Sequence, residues 1–495
     1  MASIEAAHLG RTVVLLEPGQ HVGGMSSSGL GATDLYSMNA LGGLVQTFFQ
    51  TVKSIYTADE VPLPDGFAAG TDYAPHIAEQ AFDQMLGAQS SNITVVFGAG
   101  LSSISQTGTV INNVTTTNGV TYAAKEFIDA SYEGDLMAAA HVSYTVGREA
   151  LTQYWEPYAG VEVPKLMGEA IDPYVTPGDP SSGLIPHVMP DTLGAPGSAD
   201  QSVMAYNYRL CLSTDPANQI PFTAPAGYSP AEFEVVARLI EAYENKGENI
   251  SLGTIVTQYQ LPQDKIDANA TFYVSTDDVG ASTGYPNASP SDRQQIAAAH
   301  KEYMQGLLYF LMTDPRIPSS IQADVRALGL CKDEFTDNGG WPRQLYIREG
   351  RRMIGAYVMT QNDAQLKTSI LDPIGLGGYF LFDSHYCNRS ARNGTVYMEG
   401  TAHPLGNHPY PIPYRILTPQ ESQATNLLVT VAVSASHVAY DGLRVEVTYM
   451  IMGQAAGAAA SLAMDENTGV ESVNYSQLKA QLLTDGQILT WTGAP

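Results

Sequence analysis

The segment that most constrains the fold lies close to the start of the chain. Residues 13–16 form a continuous apolar run, which ends in the carboxylate of Glu17 and is followed by Gly23-Gly24. Such a run suits a strand buried on both faces of a parallel sheet. An acid at the end of that strand can hydrogen-bond a ribose hydroxyl, and paired glycines let the backbone approach a ligand closely. The alternative is a buried strand that ends in a solvated glutamate.

The residues ahead of this strand predict only part of a dinucleotide-binding unit. Residues 2–10 read as the second half of a helix that stops at Gly10. Such a unit begins with a strand and a G-x-G-x-x-G turn before the helix, and neither is present in this sequence. We therefore expect the natural polypeptide to extend upstream of Met1, with a signal peptide, a strand and the glycine turn.

Length and charge exclude several classes of partner. A chain of 495 residues, 44% of them hydrophobic, has two packed domains as its default arrangement. The net charge of −26, with only 24 Lys and Arg, argues against a nucleic-acid partner. No apolar run reaches the ~18 residues of a membrane span. The longest candidate, residues 450–463, is interrupted by Gln454, so no membrane partner is expected.

Asparagine sequons predict a secreted glycoprotein. Chance would give roughly three acceptor sequences in this chain. The sequence has eight, at Asn92, Asn113, Asn249, Asn269, Asn287, Asn388, Asn393 and Asn474. The alternative is a polar surface without sugars, and Pro290 weakens the Asn287 sequon. Three distant cysteines, Cys211, Cys331 and Cys387, allow at most one intrachain disulfide and form no metal or redox motif.

Periodicity predicts alternating helices and strands. Helices are expected over residues 42–55, 74–86, 231–246, 291–313, 319–328 and 450–463. Strands are expected over residues 93–97, 101–105, 110–116 and 126–129, with a hairpin turn at Asn118-Gly119. Residues 150–230 are rich in Pro, Gly, Tyr and Asp, which is typical of an insertion of short strands and loops.

Four segments carry a resemblance to a known family. They are L-L-E followed by G-G-M-S at residues 15–34, F-I-D-A-S-Y-E-G-D at 127–135, Y-I-R-E-G-R-R-M-I-G at 346–355, and residues 426–457. Together they resemble FAD-dependent oxidoreductases of the glutathione-reductase-like flavoprotein superfamily. More narrowly, they resemble the branch with G-G-M-S after the ribose-binding acid. Tyr132-Glu133 departs from the D-A-T-G-D-G-D form of the second segment.

The resemblance implies a fold and a cofactor. The fold is α/β, with a three-layer Rossmann-like FAD-binding domain and an inserted α+β substrate domain. The FAD domain would comprise residues 1–50, 85–147 and 405–470, the substrate domain 51–84 and 148–404, and a C-terminal tail 471–495. No second dinucleotide fingerprint is visible, so a nicotinamide co-substrate is not expected.

The resemblance also implies a set of FAD-binding residues. They are Glu17, Gly23, Gly24, Met25, Ser26, Leu101, Gly134, Asp135, Asp441, Gly442, Arg444, Gly453 and Gln454. The small-residue helix 450–463 would direct its positive end at the N1–C2=O edge of the reduced flavin. Without the other segments, the same helix would be interpreted as a tightly packed core helix.

Histidines are the candidate bases. A flavin that oxidises an alcohol or amine needs a proton acceptor, which His437 or His385 would provide. A structural role is an equal alternative for each. Arg348, Arg352 and His403 are candidates for substrate binding, although ion pairing with Glu349 and nearby acids would also explain the arginines. No spacing typical of metal ligands is present.

The sequence therefore predicts a secreted FAD-dependent oxidoreductase. It would oxidise a small alcohol, sugar or amine by hydride transfer to flavin, and oxygen or another small acceptor would reoxidise the cofactor. The alternative is a flavin-free secreted glycoprotein that keeps the flavoprotein scaffold for binding or structure.

Overall fold

The computed structural model describes residues 1–35, 37–61, 63, 70–271 and 273–493, so the predicted segments 51–84 and 471–495 lie partly outside the described residues. The helices of the described part are Ala2–His8 (α1), Gly43–Ala58 (α2), Pro75–Gly87 (α3), Asp135–Ala139 (α4), Leu151–Tyr154 (α5), Glu234–Lys246 (α6), Pro290–Thr313 (α7), Ser319–Arg326 (α8), Gln361–Ala364 (α9), His437–Leu443 (α10), Glu446–Glu466 (α11) and Tyr475–Thr484 (α12).

The strands of the described part are numerous and mostly short. They are Val13–Glu17 (β1), Ile93–Phe97 (β2), Leu101–Thr107 (β3), Val110–Thr116 (β4), Thr121–Ala123 (β5), Phe127–Asp129 (β6), Tyr144–Thr145 (β7), Lys165–Leu166 (β8), Met189–Pro190 (β9), Leu210–Ser213 (β10), Gln219–Ile220 (β11), Val256–Leu261 (β12), Lys265–Ala270 (β13), Gly329–Cys331 (β14), Arg352–Met353 (β15), Pro373–Gly377 (β16), Leu381–Phe382 (β17), Asn388–Arg392 (β18), Thr395–Glu399 (β19), His403–Pro404 (β20), Tyr410–Pro413 (β21) and Leu427–Val429 (β22).

The predicted parallel pairing occurs in two separate pairs. Strand β1 pairs in parallel with β2, and β22 pairs in parallel with β6. Strand β1 is less buried than expected for a strand covered on both faces, because the side chain of Val14 is 44% exposed. The chain is thus of mixed α/β type, and a continuous three-layer sheet stays a prediction.

The remaining sheets are antiparallel except for one parallel pair, β18 with β9. Strands β3, β4 and β5 form a meander, and Asn118 and Gly119 (φ 82°) turn the chain from β4 to β5 as predicted. A five-stranded sheet has the order β11-β14-β10-β13-β12, and a four-stranded sheet has the order β8-β19-β18-β9. These two sheets hold most of the strands between residues 165 and 399.

Two large hydrophobic cores follow from the helix patterns. In α2 the buried residues Val45, Phe48, Phe49 and Val52 recur at helical spacing and so lie on one face. That face packs into a first core with α3, α10, α11 and α12, whereas α6, α7, α8 and strands β10 and β13 enclose the second. The described part of segment 51–84, predicted for the substrate domain, thus contributes to the first core, because α2 and α3 pack with α11.

Helix α11 is held tightly against α1 by small residues. A Cβ atom at Gly457 would lie 2.4 Å from the carbonyl oxygen of Ala2, so only glycine permits this approach. The length and mean hydropathy of α11 would also suit a membrane span, yet 89% of its most apolar window is buried inside the structure. Its apolar surface is therefore explained by packing in the first core.

One disulfide joins neighbouring strands of the second core. Cys211 on β10 is bonded to Cys331 on β14, 120 residues further along the chain. Cys387 is a buried free thiol. The pairing confirms the prediction of at most one intrachain disulfide.

Candidate functional site

Glu17 lies at the end of β1, as the sequence predicts. Its Oε1 accepts a hydrogen bond from the Gly19 N–H at 2.7 Å. Burial raises the pKa of Glu17, and the bond from Gly19 opposes that shift. The side chain is only partly buried, so its second oxygen remains open to a hydroxyl donor.

The predicted glycine turn is tightly packed. Gly23 (φ 105°) and Gly24 (φ 57°) both adopt the left-handed region that glycine tolerates best. A Cβ atom at Gly24 would lie 2.7 Å from the Tyr132 hydroxyl, which also accepts a hydrogen bond from the Met25 N–H at 3.0 Å. Met25 and Ser26 are fully buried. The turn therefore meets the second predicted segment at Tyr132.

The second segment is anchored by its own carboxylates. Asp129 accepts a hydrogen bond from the Met137 N–H in α4 at 2.9 Å, and Gly134 (φ 64°) precedes that helix. Asp135 is paired with Arg293 at 2.8 Å and Arg351 at 2.6 Å. A cofactor contact at Asp135 would share its carboxylate with these two arginines. Leu101, the remaining predicted contact of this region, is partly buried at the start of β3.

The C-terminal segment differs from its prediction in local structure. An Asp-Gly dipeptide favours a turn, but Asp441 and Gly442 both lie within α10, where tertiary packing of the buried helix overrides that preference. Arg444 follows the helix, is fully buried, and donates to Asp383 Oδ2 at 2.6 Å and to the Tyr346 hydroxyl at 3.1 Å.

Helix α11 begins at Glu446, one turn earlier than the predicted start at residue 450. Gly453 and Gln454 therefore lie inside the helix and not at its N-terminus. Gln454 accepts from the Leu44 N–H at 2.9 Å and donates to Glu5 at 2.9 Å. Both residues pack the helix against neighbouring elements, so a cofactor at the end of α11 would meet Glu446 first.

His437 belongs to a buried charge cluster, which we define as Glu149, Glu349, Arg352, His437 and Asp441. The His437 Nδ1 lies 2.9 Å from Glu349 Oε1, and its Nε2 lies 3.7 Å from Asp441 Oδ2. Arg352 contacts both Glu349 and Glu149. Burial alone would lower the pKa of His437, but Asp441 and Glu349 outweigh it and raise that pKa to about 9. His437 therefore already holds a proton at neutral pH and is a poor base.

The free energy of unfolding should depend on whether His437 holds this proton. Because the pKa of His437 rises from 6.5 to about 9 on folding, its stabilisation is fully present below pH 6.5 and is lost as the pH rises through about 9. We expect His437→Gln to remove on the order of 2–3 kcal/mol of pH-dependent stability over this window. Urea unfolding of both proteins between pH 6 and 10 measures it. An unchanged pH dependence in the variant would refute a protonated His437.

His385 lies in a different environment, in contact with Asp277. Its Nδ1 lies 2.6 Å from Asp277 Oδ2, and the other Asp277 oxygen accepts from Arg348 at 2.8 Å. Burial would raise the pKa of Asp277, but Arg348 and His385 lower it to about 2. Burial and Arg348 lower the pKa of His385, and Asp277 opposes them. His385 is therefore neutral, its Nδ1 hydrogen faces Asp277, and its Nε2 has no partner among the described residues.

The three predicted substrate-binding residues are already engaged by the protein. Arg348 donates to Asp277 and Asn207, and Arg352 pairs with Glu149 at 2.6 Å. This geometry matches the ion-pairing alternative, and a substrate anion would have to displace these partners. His403 is half-buried: its Nε2 lies 2.8 Å from Glu162 and its ring stacks on Tyr158 at 4.1 Å.

Contacts connect the glycine turn to His385. The ring of Tyr346 packs with Met25, and the guanidinium of Arg348 lies 4.9 Å from the centre of that ring. Arg348 in turn contacts Asp277, the partner of His385. The predicted cofactor turn and His385 thus belong to one continuous site.

Sequence reasoning missed the residues that support this site. Asp277, Asp383 and Glu446 were not predicted, although Asp383 lies in the segment of His385 and Glu446 in the first turn of an apolar helix. Asp277 gave no local signal, because its partner His385 is 108 residues away.

Three members of the buried charge cluster have atoms suited to a metal. The ligand atoms of Glu349, His437 and Asp441 all lie within 4.8 Å of one another. Arg352 and the protonated His437 already supply positive charge to these carboxylates. We interpret the group as an ion-pair cluster, and no metal is assigned.

The sequons differ in how they are presented. Asn388 is buried on β18 and its amide donates to Glu399 at 2.7 Å, so this sequon is not presented at the surface and a glycan there stays a prediction. The Asn92 amide donates to the Ala7 carbonyl oxygen at 3.1 Å, and Asn269 on β13 is hydrogen-bonded to Asn207. Asn113 is partly buried. Exposed sequons are those of Asn249, Asn287, Asn393 and Asn474.

The site thus combines a strand that ends in a carboxylate, a glycine turn and buried histidine–carboxylate pairs within a chain of mixed α/β type. The chain belongs to the FAD dependent oxidoreductase family, whose sequence profile matches residues 1–482. It is thus an FAD-dependent oxidoreductase, and its cofactor is FAD.

Other comparisons give little. A search of curated proteins found no match. The structure of the Diels-Alderase PyrE3, from the biosynthetic pathway of pyrroindomycins, is 12% identical, with a TM-score of 0.22 over 66% of this chain and 77% of that one. This distant likeness adds nothing to the functional assignment.

The residues present fit FAD at two places. Glu17 keeps a carboxylate oxygen to which no described residue donates, at the end of β1. In the first turn of α11, the hydroxyl of Thr448 is buried and has no hydrogen-bond partner in the described part of the chain. An unpartnered polar atom at a buried helix end is suited to a polar cofactor edge.

Proposed function

We propose that this protein is a secreted oxidoreductase that oxidises a small alcohol, sugar or amine by hydride transfer to FAD. The observation that carries the proposal is the Asp277–His385 pair, in which Nε2 of a neutral histidine has no partner among the residues that the structure describes. A neutral imidazole with one nitrogen fixed by a carboxylate is the form that accepts a proton from a substrate.

The residues of the site have different roles in the proposed reaction. FAD, when bound, takes up the hydride that the substrate releases. His385 accepts the accompanying hydroxyl or ammonium proton at Nε2, and Asp277 holds the ring in the required tautomer. Arg348 keeps Asp277 ionised. His437 holds its proton throughout and fixes the start of α10 through Glu349. His385 is thus favoured over His437 as the base.

The cofactor contacts follow the predicted segments. Glu17 would accept from the adenosine ribose, the turn at Gly23-Gly24 would lie against the cofactor backbone, and α11 would face the flavin. We propose that the protein belongs to the G-G-M-S branch of the glutathione-reductase-like superfamily, because its sequence carries G-G-M-S after the ribose-type acid. We propose the FAD domain as residues 1–50, 85–147 and 405–470 of a Rossmann-like three-layer unit, with the substrate domain inserted.

Glu17→Ala should weaken FAD binding by about 1–3 kcal/mol, because a charge-assisted hydrogen bond is lost. Fluorescence titration of the apoprotein with FAD measures the change. Glu241→Ala, an exposed glutamate on α6 beside the second core, is the matched control and should bind FAD normally. Equal FAD affinity in Glu17→Ala and the wild type would remove Glu17 from the cofactor site.

Secretion is supported by two independent features. The Cys211–Cys331 disulfide is typical of a protein from an oxidising compartment, and four sequons are exposed. A secreted enzyme meets little nicotinamide cofactor, which favours oxygen or a small acceptor for reoxidation. Family membership favours the enzyme over the flavin-free alternative.

A direct test uses the absorbance of the bound flavin. Anaerobic protein is mixed with panels of sugars, primary alcohols and amines, and bleaching of the flavin band identifies the substrate class. Admission of air should then restore the band, whereas added NAD or NADP should not. If no member of the three panels bleaches the flavin, the proposed substrate class is wrong.

A further inference from the structure

Glu446 is a buried carboxyl group that forms no ion pair with any residue that the structure describes. It is the first residue of α11 and is only 6% exposed. Its two oxygens lie 2.9 and 3.0 Å from the Tyr132 hydroxyl, which is its hydrogen-bonding partner in the described structure. Other buried acids of this protein, such as Asp277 and Glu349, contact an arginine. No ion pair with a described residue therefore compensates the burial of the Glu446 carboxyl group.

Its surroundings leave the charge of Glu446 finely balanced. A carboxylate that loses water without gaining a cation is destabilised, and burial accordingly raises the pKa of Glu446 to about 7, with the Tyr132 bond opposing the shift. The titratable groups that face it are the tyrosines Tyr73, Tyr132, Tyr346 and Tyr449, all neutral near pH 7. A small change in the charge nearby will therefore change the protonation state of Glu446.

The predicted cofactor segments converge on this pair. Tyr132 belongs to the second segment, its hydroxyl accepts from the N–H of Met25 in the glycine turn, and it packs against Gly24. Glu446 opens the helix of the C-terminal segment. The unpartnered hydroxyl of Thr448 lies in the same first turn. A change in the charge of a cofactor bound at these segments would therefore act on Glu446.

We propose that Glu446, held by Tyr132 at the first turn of α11, takes up a proton that compensates the negative charge gained by the cofactor on reduction. The inference rests on the proposed function, since it needs bound FAD. The two electrons come from the substrate hydride or an added reductant. The proton comes from solvent and converts the Glu446 carboxylate to a carboxylic acid.

The Tyr132 hydroxyl suits both states of Glu446. With the carboxylate, it donates its hydrogen to Glu446 and accepts from the Met25 N–H. With the protonated acid, it accepts a second hydrogen bond, because a phenol oxygen carries two acceptor sites. The pair thus remains connected when the proton arrives, and Glu446 acts as a positioning residue that sets the charge beside the cofactor.

The test measures proton uptake when the FAD-loaded protein is reduced with dithionite between pH 6 and pH 9. In the wild type, uptake should increase above about pH 7, where Glu446 is ionised before reduction. Glu446→Gln should take up as much as one proton fewer per flavin. In this variant the reduction potential of the bound FAD should depend less steeply on pH, by about 30 mV per pH unit. That difference is the equivalent of a tenfold change in the equilibrium constant of a two-electron couple.

Two further variants sharpen the result. Glu126→Gln removes another carboxyl group whose pKa burial raises, to about 8, but which faces Glu471 and not the glycine turn, and it should behave like the wild type. Tyr132→Phe removes a bond that lowers the pKa of Glu446, so the onset of extra uptake should move to higher pH. This variant decides the matter if Glu446→Gln does not fold.

The outcomes separate the inference from the function on which it rests. If Glu446→Gln binds FAD and keeps the full pH dependence of the wild type, Glu446 is not the proton acceptor, although the proposed function stands. If the wild type shows no flavin absorbance after incubation with FAD, the proposed function fails before any titration begins.

Discussion

Replacing His385 with glutamine should slow reduction of the bound flavin by the substrate about 10²–10⁴-fold, while FAD stays bound. The reason is the geometry of the Asp277–His385 pair: Nδ1 faces a carboxylate at 2.6 Å, so Nε2 is the free acceptor. Glutamine keeps a polar side chain of similar reach but cannot take the proton. Stopped-flow bleaching of the flavin band under anaerobic conditions measures the rate directly.

A neighbouring pair supplies the matched control. His187 contacts Asp278 at 2.8 Å, which is a histidine–carboxylate contact like that of His385. Asp278 is the residue that directly follows Asp277. His187→Gln should reduce flavin at the wild-type rate. The His437→Gln rate should also stay within about tenfold of the wild type, since His437 already holds its proton. A near-normal rate in His385→Gln would exclude it as the base, and near-normal rates in both variants would exclude both predicted bases.

Local sequence patterns predicted the helices, strands and turns whose formation depends mainly on adjacent residues. Strands β2 and β4 have the predicted bounds, α3 is shifted by one residue at both ends, and α7 begins one residue earlier than predicted. The amphipathic spacing of α2 and the Asn118-Gly119 turn are likewise properties of a few adjacent residues. Such signals do not depend on where the rest of the chain lies.

Two local signals gave the wrong boundary because packing overrode them. The β-branched Val447 and Thr448 made residues 446–449 look unlike the alanine-rich helix that follows, yet all are buried in α11. The Asp441-Gly442 dipeptide, a common turn signal, lies inside the fully buried α10. In both cases burial against the first core fixes a helical backbone that propensity alone disfavours.

The site itself depends on contacts between residues distant in the chain. Tyr132 and Glu446 are 314 residues apart, and Glu349 and His437 are 88 apart. A sequence shows that a histidine exists but not what a neighbouring carboxylate does to it. Carboxylates stabilise the protonated form of His437, whereas a carboxylate orients the neutral ring of His385. The same limit applied to Arg348 and Arg352, whose carboxylate partners decide between substrate binding and ion pairing.

Loss of the Cys211–Cys331 disulfide should be the most damaging change outside the site. The bond closes a loop with a sequence separation of 120, which contains β11 to β13 and helices α6, α7 and α8. Closing a loop of this length restricts the unfolded chain, and a Cys211→Ser/Cys331→Ser double variant should lose about 4–5 kcal/mol of unfolding free energy. Both sulfurs are buried, so the serine hydroxyls also lose water.

Trp341 allows this loss to be measured in the second core. It is 2% exposed and packs there, whereas Trp155 is 72% exposed. Urea unfolding followed by the fluorescence of Trp341 should show a lower midpoint in the double variant. Cys387→Ala, which removes the buried free thiol but opens no loop, should cost only about 1 kcal/mol. The wild type in excess dithiothreitol should match the double variant, since both lack the same covalent bond. An unchanged midpoint under reduction would mean that the bond stabilises nothing, and it would remove the disulfide as support for an oxidising compartment.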